Sequence, residues 1–166
     1  MNSFSLHRVF IGLGSNLGDR EHNLQSALSY FNCHEHIDLI DCSAFRETAP
    51  WGVLDQPRFI NAVAMIRTSL SPFDLLADLK QAERILGRLP SDFRWGPRVI
   101  DLDILLYGEE ILNSSTLTIP HACLTERIFV MEQIVELDAA AEHPLYRRTI
   151  SSLLMERKKP LVNSVE

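Results

Sequence analysis

Two capped amphipathic stretches, each set between short apolar runs, most constrain what this chain can become. Ser71-Pro72-Phe73-Asp74 is a helix start: Ser as cap, Pro at the first helical position, Asp three residues after the cap. Leu75, Leu76, Leu79, Ala82, Glu83 and Leu86 then carry the helical period, and Gly87 supplies a left-handed stop. Earlier, Asp19 can cap a helix whose apolar face is Leu24, Ala27, Leu28 and Phe31. Around them lie four strand-like runs: Arg8 to Leu13, Ile37 to Arg46, the alternating Phe59 to Thr68, and Val99 to Tyr107.

The order is β-α-β-β-α-β, the split βαβ pattern of ferredoxin-like folds. The expected fold is therefore α/β of the α+β kind. It is a ferredoxin-like βαββαβ sandwich with an antiparallel sheet, both helices on one face and the other face left for ligands. A C-terminal extension follows, with short strands at Ile111-Leu112 and Leu117-Ile119, a helix from Glu126 to Asp138 and a short one from Ser151 to Glu156. Residues 1–166 read as one domain with its core at about 9–154 and a polar tail at 157–166. No apolar stripe remains unassigned, so a monomer is expected.

Composition removes several classes. Hydrophobic residues are 46% and charged residues 23% of the chain, which excludes a disordered or collagen-like polymer. No apolar run nears the ~18–20 residues of a membrane span. Met1 to Arg8 carries no basic stretch followed by an apolar one, so no secretory signal is read there. Cys33, Cys42 and Cys123 are widely spaced, with no C-x-x-C, which suits reduced thiols in the cytoplasm. A net charge of −6 argues against nucleic acid or an anionic membrane as partner.

Within that acidic chain the basic residues are concentrated and mostly Arg; Lys80, Lys158 and Lys159 are the only lysines. Arg84, Arg88, Arg94 and Arg98 cluster on the approach to the last long strand. Arginine offers a fork of donors that fits phosphate or carboxylate. On that strand stands Asp101-Leu-Asp103. Residues two apart on a strand share a face, with Cα atoms about 6.8 Å apart. Two carboxylates there suit Mg²⁺, which is completed by waters and a substrate's phosphates. Spacing alone leaves open an ordinary ion-paired strand face. The two Pro-containing loops, Glu47 to Pro57 and Arg88 to Pro97, are long enough to be functional.

Other motifs are weaker. Gly12-Leu-Gly14-Ser-Asn-Leu-Gly18 breaks the dinucleotide pattern at Leu17, and no Gly-Lys pair exists for a phosphate loop. His34-Glu-His36 beside Cys33 reads as a solvated turn. No G-x-S-x-G occurs, so direct transfer between two bound substrates fits better than covalent catalysis. Trp95, Phe59 and Phe129 could pack in a core or wall a flat heterocycle.

Taken in order, Gly14-Ser-Asn-Leu17, Arg46-x-Thr48, Asp55-Gln-Pro57, Phe59-Ile-Asn61, Glu83-x-x-x-Gly87-Arg88, Arg94-Trp-Gly-Pro-Arg98-x-x-Asp101-Leu-Asp103-Ile104, Leu117-Thr-Ile-Pro-His121 and Arg127-x-Phe129 form a specific series. The chain resembles the 6-hydroxymethyl-7,8-dihydropterin pyrophosphokinases over about Val9 to Leu154. The resemblance implies transfer of pyrophosphate from ATP to the pterin hydroxymethyl group, with release of AMP, in folate biosynthesis. It implies two Mg²⁺ ions on Asp101 and Asp103, with Arg88 and Arg98 as catalytic arginines. It implies ATP contacts from Glu83, Arg94, Trp95, Ile104, Thr118, His121 and Arg127. For the pterin it implies a Phe59–Phe129 sandwich, hydrogen bonds from Asn61 and Thr48, main chain around Trp51, and a lining from Gly14 and Asn16. Pro90, Thr116 and Ala122 depart from a well-known member, which has Arg, Arg and Tyr there. Two rivals remain: a ferredoxin-like regulatory module that binds nucleotide or pterin without chemistry, and a D-x-D glycosyl or nucleotidyl transferase.

Overall fold

The computed structural model describes residues 6–52, 54–90 and 96–159. Strand β1 (His7–Ser15) leads to helix α1 (Arg20–Asn32), β2 (Ile37–Cys42), β3 (Arg46–Thr48), β4 (Phe59–Thr68), α2 (Pro72–Ile85) and β5 (Asp101–Tyr107). The sheet runs β2-β4-β1-β5, with β3 also paired to β4, and every pair is antiparallel. That is the ferredoxin-like arrangement expected. No described helix is long and apolar enough to cross a membrane.

Local chemistry sets the helix ends. Ser71 Oγ accepts from the Asp74 amide at 3.2 Å and donates to Asp74 Oδ2 at 2.6 Å, while Pro72 fills the first position. Asp19 Oδ1 accepts from the His22 amide at 3.1 Å. Helix α2 stops at Gly87, whose φ of 96° suits a residue without Cβ. There the Gly87 amide bonds Arg84 O and the Arg88 amide bonds Glu83 O, closing a Schellman motif.

The strand expected over Ile37 to Arg46 is divided into β2 and β3. The β2–β4 register slips between Leu39 and Asp41. At Ser43 the side-chain hydroxyl, in place of a carbonyl, accepts from the Val63 amide at 2.9 Å. A side chain that substitutes for main chain interrupts the ladder, and the chain re-enters it at Arg46.

The alternation along each strand separates two cores. Val9, Ile11, Leu13, Ala62, Ala64, Ile66, Leu102 and Ile104 face Leu24, Ala27, Phe31, Leu75, Leu79 and Ala82 of α1 and α2. The opposite face is only partly open, which corrects the expectation that it is left for ligands. After the β6–β7 hairpin (Leu112–Asn113, Thr118–Ile119) and a 3-10 turn, α3 (Ile128–Leu137) lies on it. Hairpin β8–β9 (Glu142–His143, Arg148–Thr149) and α4 (Ile150–Lys158) complete that layer. Phe10, Val63, Leu105 and Leu106 meet Val130, Met131, Ile134, Ile150 and Leu153 there. Leu105 and Leu106 are neighbours yet both join this core, because β5 bulges where Ile104 pairs with Ile11 and Leu106 with Phe10. The space beside α3 that remains uncovered is where the site lies.

Candidate active site

Strand pairing builds the site floor. Leu102 and Ile104 point into the α1/α2 core, so Asp101 and Asp103 point to the other face. Across β1, Asp101 lies opposite Gly14 and Asp103 opposite Gly12. On the far side of β1, Gly14 faces Asn61 and Gly12 faces Val63. Asn61, Gly14 and Asp101 therefore form one row over three strands, and its outer members are about 10 Å apart at the ~4.8 Å strand spacing. A Cβ on Gly14 would lie 2.9 Å from Asn61 Oδ1 and 3.6 Å from Phe59 Cδ1. The Gly12-x-Gly14 pattern thus makes room on a strand and is no nucleotide turn.

A cavity of about 300 Å³ opens above this row. Asp101, Asp103, Arg88, Arg98, His121 and Arg127 line it, with Lys80. So do Gly14, Thr48, Trp51, Phe59, Asn61 and Phe129. Twelve residues picked from sequence as catalytic, metal, ATP or pterin groups therefore border one space.

The cap of α2 aims Arg88. Its amide is held by Glu83 O, and its guanidinium bridges Glu83 Oε2 at 2.7 Å and Asp101 Oδ1 at 2.6 Å. Arg98 Nη1 reaches Asp101 Oδ2 at 3.1 Å. Burial works against the Arg88 charge, but Asp101 and Glu83 outweigh it and hold the guanidinium protonated. Burial likewise opposes the charge on Asp101, yet Arg98 and Arg88 keep its carboxyl below the usual range. Asp103 is pushed the other way, up to about 6, by burial and then by the Asp101 charge; Lys80 and Arg127 oppose this. His121 is pushed down to about 4 by burial and Arg127, and is neutral at pH 7. Its Nδ1 accepts from the Cys123 amide at 3.1 Å.

On the β3–β4 side, Asn61 Nδ2 donates to Thr48 Oγ1 at 2.6 Å, fixing both side chains over the strand pair. The Arg127 guanidinium sits 4.9 Å from the Trp51 ring centre, and its buried Nε has no partner among the described residues.

Four sequence candidates stand outside the cavity wall. Asn16 is buried and acts as a knot: its amide bonds Arg98 O, its Oδ1 accepts from the Arg98 amide at 2.8 Å, and its Nδ2 reaches Gln56 Oε1 and Pro57 O. Glu83 is buried behind Arg88 and Lys80, and its Oε1 also accepts from the Leu102 amide at 2.7 Å. The Ile104 side chain belongs to the helix-side core. Thr118 sits on β7, paired with Asn113. Arg94 and Trp95 lie outside the described residues.

Three lining residues with polar side chains carried no role in the sequence reading. Lys80 Nζ bonds Glu83 Oε1 at 2.8 Å and Leu102 O at 3.2 Å, beside the aspartates. Gln56 is tied to Asn16. Gln133 is a polar residue within the buried stripe Val130, Met131, Ile134, and that break in an apolar helix was its available signal.

A family model described as 7,8-dihydro-6-hydroxymethylpterin-pyrophosphokinase (HPPK) matches residues 10–139. The chain is 36% identical over 148 residues to the 2-amino-4-hydroxy-6-hydroxymethyldihydropteridine pyrophosphokinase of Aquifex aeolicus, covering 89% of this chain and 91% of that one. It is 42% identical over 129 residues to the enzyme of the same name from Bacillus subtilis, covering 78% and 77%. Among solved structures, an HPPK-DHPS chain of Plasmodium falciparum superposes with a TM-score of 0.75 at 13% identity, a likeness of fold. That match covers 95% of this chain and 42% of the solved one.

Proposed function

The chain belongs to the 7,8-dihydro-6-hydroxymethylpterin-pyrophosphokinase family, and we propose on that footing how its residues carry the reaction. It is a diphosphokinase of folate biosynthesis that moves pyrophosphate from ATP to the 6-hydroxymethyl oxygen of the dihydropterin. The hydroxyl gives up its proton to water, its oxygen bonds the β-phosphorus, the bond from that phosphorus to the α–β bridging oxygen breaks, and AMP leaves with the bridging oxygen.

The observation that carries this reading is that one cavity joins the carboxylate pair, three arginines and two phenylalanines. Asp101 and Asp103 are hard oxygen donors on one strand face, and among the described residues no third His, Cys, Asp or Glu makes a closed metal cage with them. That donor set fits Mg²⁺ finished by water and phosphate, with two ions expected. When bound, Mg²⁺ neutralises phosphate charge and favours the ionised hydroxyl.

The chain's own groups do the rest. Arg88 and Arg98 now share Asp101, so both forks stand within one side chain's reach of phosphate. A cation on Asp101 would free them to grip the transferring group, where preorganised charge lowers the barrier most. Arg127 offers its unpartnered Nε to ATP, and neutral His121 offers a ring nitrogen without adding charge. Lys80 adds an ammonium on the same side. Phe59 and Phe129 hold the pterin faces, while Asn61, Thr48 and the main chain around Trp51 read its rim. Glu83 and Asn16 act one step back, through Arg88 and Arg98. We further propose that the protein works as a cytoplasmic monomer.

Purified protein with ATP, Mg²⁺ and 6-hydroxymethyl-7,8-dihydropterin should release AMP only when the pterin is present. Pterin and nucleotide binding with no AMP would instead favour the non-catalytic binding module.

A further inference from the structure

Arg127 is held differently from the other arginines of the cavity. Arg88 and Arg98 are fixed by carboxylates, those of Glu83 and Asp101. Among the described residues no carboxylate does this for Arg127. Its guanidinium lies instead over the Trp51 ring, 4.9 Å from the ring centre. Trp51 is 42% exposed and lines the cavity, so core packing does not account for its place. It stands on the loop between β3 and β4, while Arg127 immediately precedes α3. The contact therefore joins one wall of the cavity to another.

The two kinds of support differ in what they leave free. A carboxylate takes up N–H donors and cancels charge, as Asp101 does for Arg88 and Arg98. An aromatic face attracts the cation without taking a hydrogen-bond donor and without neutralising it. Tryptophan does this better than tyrosine or phenylalanine. The Arg127 charge already acts across the cavity: after burial, it is this guanidinium that pushes the His121 ring down. An arginine aimed by a ring can meet an anion without first breaking an ion pair. Charge preorganised in this way gains most in a partly dehydrated site.

We propose that the Trp51 side chain is a positioning residue for the nucleotide, holding the Arg127 guanidinium at the cavity with its charge and donors free for the phosphates of ATP. This role rests on the reading of Arg127 as an ATP contact. Trp51 touches no phosphate in this scheme and acts only through Arg127.

Dissociation constants of a non-hydrolysable ATP analogue, with Mg²⁺ saturating, are compared for wild type, Trp51→Phe, Trp51→Leu, Arg127→Met and the double variant Trp51→Leu/Arg127→Met. Trp51→Leu should weaken the analogue about fivefold, the scale of one cation–π contact. Trp51→Phe keeps a ring face and should stay within about twofold of wild type. Arg127→Met should weaken the analogue about tenfold or more, the scale of a charge-assisted contact. In that background Trp51→Leu should cost almost nothing further. A structural role for the ring would give the same loss with and without Arg127 and overturn the proposal, as would full affinity in Trp51→Leu. If a variant does not fold, fluorinated tryptophans placed at position 51 of the otherwise native chain decide. Each added fluorine drains the ring face at nearly constant shape, so affinity should fall stepwise, and equal affinity across the series would overturn the proposal. Wild type that binds no ATP analogue and makes no AMP would remove the nucleotide reading as well. Normal AMP release with additive losses would remove only the role of Trp51.

Discussion

At Gly14 a single methyl group separates two workable neighbours. The row Asn61–Gly14–Asp101 works only if its middle member has no Cβ, since one would press on Asn61 Oδ1 at 2.9 Å. Gly14→Ala should raise the pterin KM at least tenfold and leave ATP affinity unchanged, read by steady-state kinetics and nucleotide titration. A wild-type pterin KM would mean that Asn61 can yield. The carboxylates give a sharper case. Asp101→Ala and Asp103→Ala should each abolish AMP release while circular dichroism keeps the native spectrum; normal turnover in both would remove the metal assignment. Arg98→Ala should cut turnover by ~10²–10³, the scale for losing one preorganised donor. A loss below about threefold would show that Arg88 suffices alone.

Helix α2 shows how an element serves the site through its end. The Schellman closure at Gly87 fixes the Arg88 main chain, and Glu83, in the turn above, fixes its guanidinium. Gly87→Ala meets no steric obstacle, but it forces a residue with Cβ to φ 96°. It should cost about 1 kcal/mol in urea unfolding and lower kcat more than either KM. An unchanged kcat would mean that Glu83 alone aims Arg88. The same element was fully legible in sequence, from its Ser71-Pro72 start to its Gly87 stop, because caps are local chemistry. The alternation of β4 was equally plain. The break between β2 and β3 was not, because it depends on the Ser43 hydroxyl meeting Val63, a residue on another strand. Residue types on the site were readable where a local spacing carried them, as with Asp101 and Asp103. Lys80 acquires meaning only from what the fold sets beside it. Ile104 shows the converse: its motif neighbours line the cavity, but strand parity buries its own side chain in the core.

Across the whole molecule, the site is the gap that two layers leave on one sheet face, so its groups are partly dehydrated and their titration couples to folding. His121 is held neutral in the fold, with its pKa lowered from 6.5 to about 4 by burial and Arg127. Between those values the unfolded chain binds a proton that the folded chain refuses, so protonation favours unfolding. The His121 contribution to stability is present above pH 6.5 and is lost as pH falls toward about 4. Asp103 works in the opposite sense. Its raised pKa, due to burial and Asp101, makes its contribution largest below 3.8 and lost as pH rises through about 6. The wild-type stability curve contains both slopes, and they oppose each other in the same window. His121→Asn removes one of them. Urea unfolding of both proteins without added metal, at steps from pH 7 to pH 4.5, should show the variant gaining stability relative to wild type as pH falls. A pH-independent difference between the two curves would mean that His121 keeps an ordinary pKa, and that the layer over the sheet leaves it open to water.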